Sequence, residues 1–226
     1  MAEETQGAGE AQAAGEAHAE EAQTPVENPA TGEEPTQVVA KAAGMPPMLA
    51  YTLRAPLQPN TGVAQLTVGQ GSSAQVLKPS QPQDFSYWVV ILDSSKPTAK
   101  LQEWVTQSPN AIPTGLDQYM SNPKYLFAVV TQNLGSNVPQ GAWYDYLTAH
   151  GAGRELQKLE QISAYTLPPY GLVSRMAYVL TGQCGSGGIA YERGSFTEPV
   201  ILELSLMPLP SGPPYSICDS YTFVTR

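Results

Sequence analysis

The residues that could do catalytic chemistry are few in this chain of 226 residues. Its histidines are His18 and His150, and His150 stands beside Gly151 at the end of a predicted helix, where a partly charged imidazole complements the helix dipole. No G-x-S-x-G motif occurs, and the acidic residues beyond residue 44 are scattered singly. We therefore expect no catalytic residues and no enzymatic activity. A hydrolase with a carboxylate site is the alternative, should a cleft gather two of these acids.

Cysteine and histidine counts bear on metals and disulfides. Cys184 and Cys218 are 34 residues apart, so one disulfide is geometrically possible, but a stapled secreted scaffold carries more cysteines. A structural zinc site needs four Cys or His ligands, usually in closely spaced pairs. We expect two free, partly buried thiols, and no metal site.

A glycine-rich segment at residues 182–188 follows a predicted buried strand, as a phosphate-binding loop would. Gly185, Gly187 and Ala190 even satisfy the degenerate dinucleotide pattern G-x-G-x-x-A. Such a loop must open a helix, whereas residues 191–196 are short and interrupted by Gly194, and no P-loop lysine follows. We expect a tight turn with positive φ here, and no cofactor.

Charge divides the chain into two parts. Nine of the 20 acidic residues lie within residues 1–36 and the first cation is Lys41, so the remainder balances 11 acids against 11 bases. Residues 1–47 are rich in Ala, Glu, Gly and Pro, cannot bury enough apolar surface to fold, and are predicted to be a disordered acidic leader. This leader either solubilises the chain or docks a basic partner. Residues 48–226 are predicted to form a single α+β domain.

Several classes of partner and location are disfavoured. A neutral body without basic clusters argues against nucleic acid. The longest apolar run, residues 87–92, is far shorter than the ~20 residues of a membrane span. The N-terminus has neither the basic start nor the apolar core of a secretory signal, so we expect a cytoplasmic or virion-associated protein.

Strands are predicted where apolar, β-branched or aromatic residues are bounded by turn residues. Residues 87–92 and 125–131 are continuously apolar, which is typical of strands buried on both faces at the centre of a sheet. In residues 200–207 leucines alternate with polar residues, which indicates one wet face. The other predicted strands are residues 63–68, 74–77, 176–181 and 221–224, with a hinge or an extended first strand within residues 45–59.

Helices are predicted between these strands at residues 99–106, Gly141–Ala149 and 154–162, with a short turn at residues 116–120. Asn137 with Gln140 resembles a helix-capping signal, and Gly151 is a natural stop. Trp143 and Leu147 form the inner stripe of the second helix. The order of elements predicts an α+β fold.

One ordered set of segments resembles a known family. A strand that runs into polar residues (125–135) is followed by the helix with Trp143 and Leu147, by residues 150–153, and by residues 175–182, which lead to the glycine-rich turn and to Tyr191-Glu192. This order is similar to the interleukin-like EMT inducer domain, also called the PANDER-like or GG domain, over about residues 62–207. Gln132 and Asn133 stand where the family usually has an acidic pair, and two cysteines cannot reproduce the disulfides of its animal members.

The resemblance implies a compact ββα sandwich without catalytic machinery. Related domains occur in secreted cytokine-like proteins, in the sugar-binding stem of a glycosyltransferase and in phage tail-fibre components, and this chain fits the bacterial or phage members better. We expect a single compact ββα sandwich with a mixed sheet and a few short helices.

The function expected from the sequence is that of a non-catalytic binding or assembly module that recognises protein or glycan, as part of a virion or other surface assembly. For a glycan, the expected site is a face formed by loops 132–137 and 182–191. Gln132, Asn133, Asn137 and Glu192 would form hydrogen bonds there, and Tyr191 would stack on a sugar ring. The further alternative is an oligomeric structural subunit, a homo-oligomer that pairs through an exposed edge strand at residues 200–207 or 221–224.

Overall fold

Strands account for most of the secondary structure in this computed structural model, which describes residues 46–58, 62–135, 137–166, 175–185, 189–209 and 214–219. All of these residues belong to one compact unit, Ala42–Arg226. The predicted leader lies outside the described residues except for its last two positions, and so does the predicted strand at residues 221–224.

The described part of the chain contains ten strands and three α-helices. The strands are β1 (Leu49–Ala55), β2 (Gln65–Val68), β3 (Gln75–Leu77), β4 (Ser86–Asp93), β5 (Lys100–Thr106), β6 (Tyr125–Gln132), β7 (Ala177–Gln183), β8 (Ala190–Ser195), β9 (Val200–Pro208) and β10 (Tyr215–Asp219). The helices are α1 (Asp117–Met120), α2 (Gly141–Ala149) and α3 (Arg154–Thr166).

The strands form two five-stranded sheets. Sheet A has the order β10-β9-β1-β2-β3, and sheet B has the order β5-β4-β6-β7-β8. The predicted α+β sandwich is confirmed. The predicted mixed sheet is wrong, because each strand pairing among the described residues is antiparallel.

Sheet B has a hydrophobic core on each face, which explains its continuously apolar strands. Trp88, Val90 and Leu92 of β4 pack in the core shared with sheet A. Tyr87, Val89 and Ile91 pack in a second core with the helices. Since successive side chains of a strand point to opposite faces, both sets must be apolar. The prediction that residues 87–92 and 125–131 are buried at the centre of a sheet is confirmed.

Residues 99–106 were predicted to be a helix, and this is wrong because Lys100–Thr106 form β5. A tight turn joins β4 to β5: Lys96 N donates to Asp93 O at 2.9 Å, and Ser95 N donates to Asp93 Oδ1 at 2.8 Å. Trp104 packs against the helix-side core and Val105 against the core shared with sheet A. Neighbouring residues on opposite faces are typical of a strand, and a segment this short cannot be assigned by periodicity alone.

The two longer helices are where the sequence predicted them, although α3 extends beyond residue 162 to Thr166. Trp143 and Leu147 of α2 are buried, as predicted. In α3, Leu156 and Leu159 are buried and Ile162 is exposed. Gly151 follows α2 with a φ of +98°, and a Cβ there would lie 2.5 Å from Ala190 Cβ, so both backbone angle and space require glycine. Among the described residues, the helices are too short or too polar to cross a bilayer.

Candidate functional site

Gln132 ends β6 and joins the two sheets. Its side chain is buried, with Oε1 accepting from Ala64 N at 2.7 Å and Nε2 donating to Gly62 O at 3.2 Å. These bonds attach the segment that leads into β2 of sheet A to the end of β6 in sheet B. Gln132 therefore has a structural role that the sequence analysis did not predict.

Asn133, the next residue, is buried and has a left-handed backbone with φ of +47°. Its Nδ2 donates to Asp84 Oδ1, an oxygen that also lies 3.4 Å from Gln132 Nε2. Its Oδ1 has no hydrogen-bond partner among the residues that the structure describes. The two amides thus hold one oxygen of the exposed Asp84 carboxylate, which the sequence analysis did not select.

Asn137 was predicted to cap α2, and this is wrong. The residue that precedes α2 is Gln140, whose side chain makes no capping bond. Asn137 Nδ2 instead donates to Phe85 O at 3.0 Å and to Gln107 O. The main-chain carbonyl of Asn137 accepts from the Tyr87 hydroxyl. Asn137 thus ties together the chain segments at this end of sheet B.

Phe85 lies at the centre of these contacts and precedes β4. Its φ is +59°, its N donates to Asn133 O at 3.2 Å, and it is 51% exposed. Its ring lies against Gly135, where a Cβ would be 2.9 Å from two ring carbons. The preceding residue, Asp84, lines a concave space of about 390 Å³ together with Gly62, Val63, Pro82 and Gln132. We refer to Asp84, Phe85, Gln132, Asn133 and Asn137 as the Phe85 site.

The structure does not bring Tyr191 and Glu192 to this site, so the predicted face between loops 132–137 and 182–191 is wrong. In the antiparallel order β6-β7-β8, Phe127 pairs with Gly182 and Gly182 with Ala190. The loop after β7 therefore lies beside the beginning of β6, at the opposite end of sheet B from Gln132. Whether the predicted residues bind a ligand stays a prediction.

Glu192 anchors the beginning of α3. Its Oε1 accepts from Glu155 N at 2.8 Å, and its Oε2 accepts from Leu156 N at 3.3 Å and from the Tyr178 hydroxyl at 2.8 Å. The first N–H groups of a helix lack intrahelical partners and favour a negative charge, so a carboxylate is suited to this position. Burial and the nearby Glu192 raise the pKa of Tyr178 well above its ordinary value. Both carboxylate oxygens are thus committed within the fold.

A cleft of about 530 Å³ lies between β8 and the neighbouring strands of sheet A, and we call it the β8–β9 cleft. Its apolar wall includes the ring of Tyr191. Burial raises the pKa of the Tyr191 hydroxyl above its ordinary value. Its polar lining comprises four carboxylates and one guanidinium, and Arg193 Nη1 already donates to Ile201 O at 2.9 Å. The lining residues are Tyr191, Glu192, Arg193, Glu198, Pro199, Ile201, Leu202, Glu203, Leu204 and Asp219.

Both cysteines are free, as the sequence predicted. Cys184 is buried, its Sγ lies 3.7 Å from Met120 Sδ, and burial raises the pKa of its thiol to about 12. A thiol of that pKa is a poor nucleophile at neutral pH. His150 is at the end of α2, where Nδ1 lies 2.8 Å from Tyr146 O. Among the described residues no three His, Cys, Asp or Glu side chains converge as metal ligands.

Comparisons of the chain with protein-family models and with curated protein sequences find no match. The resemblance to the interleukin-like EMT inducer domain therefore stays a prediction. The class of protein that the fold defines is a two-sheet α+β sandwich with helices on one face of sheet B.

Proposed function

We propose that this chain is a non-catalytic binding module that holds a basic peptide segment of a partner protein in the β8–β9 cleft. The observation that carries this proposal is the composition of that cleft, in which an apolar wall adjoins four carboxylates and a single guanidinium. A lysine or arginine side chain combines an apolar stem with a cationic head, and so complements both parts.

The rim of the cleft supplies the negative charge. Glu198 and Glu203 are exposed, and neither carboxylate has a hydrogen-bond or ion-pair partner in the part of the chain that the structure describes. Glu192 contributes charge but no free oxygen, because its carboxylate accepts from three donors of the fold. We expect Glu198 and Glu203 to attract the cationic groups of the peptide.

The wall of the cleft supplies the apolar contact. Tyr191, Pro199, Ile201 and Leu202 line it, and Ile201 is 43% exposed although it is a large aliphatic residue. An aromatic and aliphatic surface between β8, the edge strand of sheet B, and β9 of sheet A is suited to the stems of long side chains. Peptide binding would therefore depend on both charge and apolar area.

Fluorescence anisotropy with a labelled acetyl-Lys-Ala-Lys-Ala-Lys-Ala peptide tests the proposal, with the same peptide carrying Gln in place of Lys as control. We expect the lysine peptide to bind and to be released by salt. Replacement of an exposed rim carboxylate (E198Q or E203Q) should weaken binding by about 1.4-fold to fivefold, since an exposed charge pair contributes ~0.2–1 kcal/mol.

The acidic leader requires a matched control, because its nine glutamates also attract the peptide. The experiment uses the full chain, and D145N removes one exposed charge from α2, outside the cleft. Equal weakening by D145N and E203Q would contradict the proposal, as would equal binding of the lysine and glutamine peptides.

The order of strands in the sheets limits which edge strands could pair with another chain, as the alternative of a structural subunit requires. Strand β9 lies between β10 and β1, so the predicted edge at residues 200–207 is wrong, and the other predicted edge, residues 221–224, lies outside the described residues. Edge strand β5 carries Lys100 and Glu103, which form an ion pair at 2.8 Å, and charges on an edge oppose pairing with another chain. An oligomer of fixed size in light scattering would nevertheless favour this alternative.

The hydrolase alternative requires two carboxyl groups that share a substrate. The β8–β9 cleft gathers several acids, but Glu192 is saturated with donors from the backbone of α3 and from Tyr178. Turnover of a chromogenic glycoside that is lost in both E198Q and E203Q would favour this class over peptide binding.

A further inference from the structure

We propose that the Phe85 site binds a neutral saccharide, which stacks on the exposed ring of Phe85 and donates hydroxyl hydrogens to the carboxylate of Asp84. This inference goes beyond the proposed peptide function, because the site is at the end of β6 and shares none of its residues with the β8–β9 cleft.

The backbone of Phe85 is strained. A φ of +59° is rare for a bulky residue, because its Cβ approaches the following carbonyl oxygen, and glycine or asparagine occupies such positions without that penalty. Burial of the Phe85 ring does not offset this strain, since the residue is 51% exposed. Strained residues persist where they serve a ligand, and here the strain presents an aromatic ring to solvent.

The ring of Phe85 is held in place by its neighbours. A Cβ at Gly135 would lie 2.9 Å from Cδ1 and Cε1 of Phe85, so only a glycine allows this close approach. The backbone of Phe85 is fixed on both sides by N–H donation to Asn133 O and by its own carbonyl, which accepts from Asn137 Nδ2. A preorganised ring loses little entropy when a ligand stacks on it.

The carboxylate of Asp84, the residue before Phe85, is held in a fixed orientation. Asp84 Oδ1 receives the side-chain amides of Asn133 and Gln132, which orient the group. Its other oxygen, Oδ2, has no partner within the described residues, and Asp84 lines a concave space of about 390 Å³ together with Gly62, Val63 and Pro82. Hydrogen bonds from hydroxyls to a carboxylate are strong because the acceptor is charged.

A saccharide fits these groups better than a cation does. Besides the single carboxylate, the polar side chains of the site are three amides: Gln132, Asn133 and Asn137. Cation sites of the aromatic-cage type combine several rings, whereas a single ring beside hydrogen-bonding groups is suited to the apolar face and hydroxyl edge of a sugar.

The test is a series of ¹H–¹⁵N correlation spectra of the full chain, titrated with methyl glycosides of glucose, galactose, mannose and N-acetylglucosamine at millimolar concentration. We expect at least one of them to shift amides around Asp84, Phe85 and Val63. F85G should fold, because glycine accepts the left-handed backbone, and it should lose about tenfold or more in affinity. D84N, which keeps the shape of the side chain but removes its charge, should lose several-fold.

The matched control is L101A, since Leu101 is also half-exposed but lies on β5 at the other end of sheet B, and it should bind like the native chain. Four silent glycosides would overturn the inference, and so would unchanged binding by a folded F85G. Shifts at Phe85 caused by tetramethylammonium chloride and by none of the glycosides would overturn it in favour of a cation site. Neither result depends on the peptide titration of the β8–β9 cleft.

Discussion

Phe85 and Asn133 are the non-glycine residues with positive φ in the described part of the chain, and they are hydrogen-bonded to each other. Asparagine tolerates this conformation because its short polar side chain can bond locally, as Asn133 does with Asp84. Phenylalanine has no such compensation. The free-energy cost at this end of sheet B is therefore concentrated in Phe85.

This cost can be measured by comparing two substitutions of Phe85. F85A and F85G both remove the ring, but only glycine relieves the backbone, so we expect F85G to be more stable than F85A by about 1 kcal/mol. At Leu101, inside β5, we expect the opposite: L101G should be less stable than L101A, since glycine weakens a strand. Urea denaturation of the four variants gives the two differences. Equal stability of F85A and F85G would contradict the assigned strain.

Three of the five residues that form the Phe85 site were selected from the sequence, and their binding of a ligand stays a prediction. Gln132, Asn133 and Asn137 were selected because polar residues after a buried strand fall at a sheet end. The structure places Gln132 and Asn133 at Asp84, and Asn133 and Asn137 at Phe85. Asp84 and Phe85 were missed. The local sequence predicts neither the positive φ of Phe85 nor the close approach of Gly135 to its ring, because both depend on contacts between distant segments. Asp84 and Asn133 are 49 residues apart in the chain, and Tyr87 and Asn137 are 50 residues apart.

Among the elements, β5 shows how a short edge strand is stabilised and protected. The carboxylate of Glu103 accepts from Lys100 Nζ at 2.8 Å, from Trp88 Nε1 at 2.8 Å and from Ser80 N at 3.2 Å. Desolvation tends to raise the pKa of Glu103, but these hydrogen bonds and the charge of Lys100 outweigh it and hold the pKa below its ordinary value of 4.5. The bonds attach β5 to β4 and to the segment before it.

The lowered pKa of Glu103 predicts a pH dependence. Because the folded state favours the ionised form, Glu103 stabilises the fold above pH 4.5, and this contribution is lost as pH falls through the lower folded-state pKa. Thermal unfolding should therefore show E103Q less stable than the native chain at pH 7, by less than ~1 kcal/mol because the pair is partly exposed. The difference should vanish in acid, and it should be smaller in a K100M background. A difference that grows in acid would contradict the assignment.

The sequence did not predict whether neighbouring strands run parallel or antiparallel. Strands β4, β6 and β7 were found because their apolar runs are continuous, but that pattern reports burial on both faces and is the same for parallel and antiparallel neighbours. Strand β8 was missed because Glu192, Arg193 and Gly194 interrupt any apolar pattern. Its Glu192 serves α3, which lies 37 residues earlier at Glu155. Only the three-dimensional arrangement relates these positions.

For the molecule as a whole, the order of layers is sheet A, sheet B and then the helices, so sheet B is common to both hydrophobic cores. Loss of β4 or β6 would expose apolar surface on two faces at once, whereas loss of an outer strand of sheet A exposes one. The sequence carried this distinction in its continuously apolar segments and in the alternating pattern of residues 200–207.

The layer order predicts where the native state is most stable locally. In amide exchange of the full chain, Val89 and Val129, at paired positions of β4 and β6, should exchange only through global unfolding, and Val76 of edge strand β3 should exchange by local opening. A matched pair of substitutions extends the argument. Val89 is 1% exposed and Val76 is 52% exposed, so V89A should cost about 2 kcal/mol through the cavity that it leaves, and V76A less than ~0.5 kcal/mol. V89A should also accelerate exchange in both sheets, because Val89 belongs to the helix-side core, and sheet B connects that core to the one shared with sheet A. Acceleration confined to sheet B would contradict a single cooperative unit.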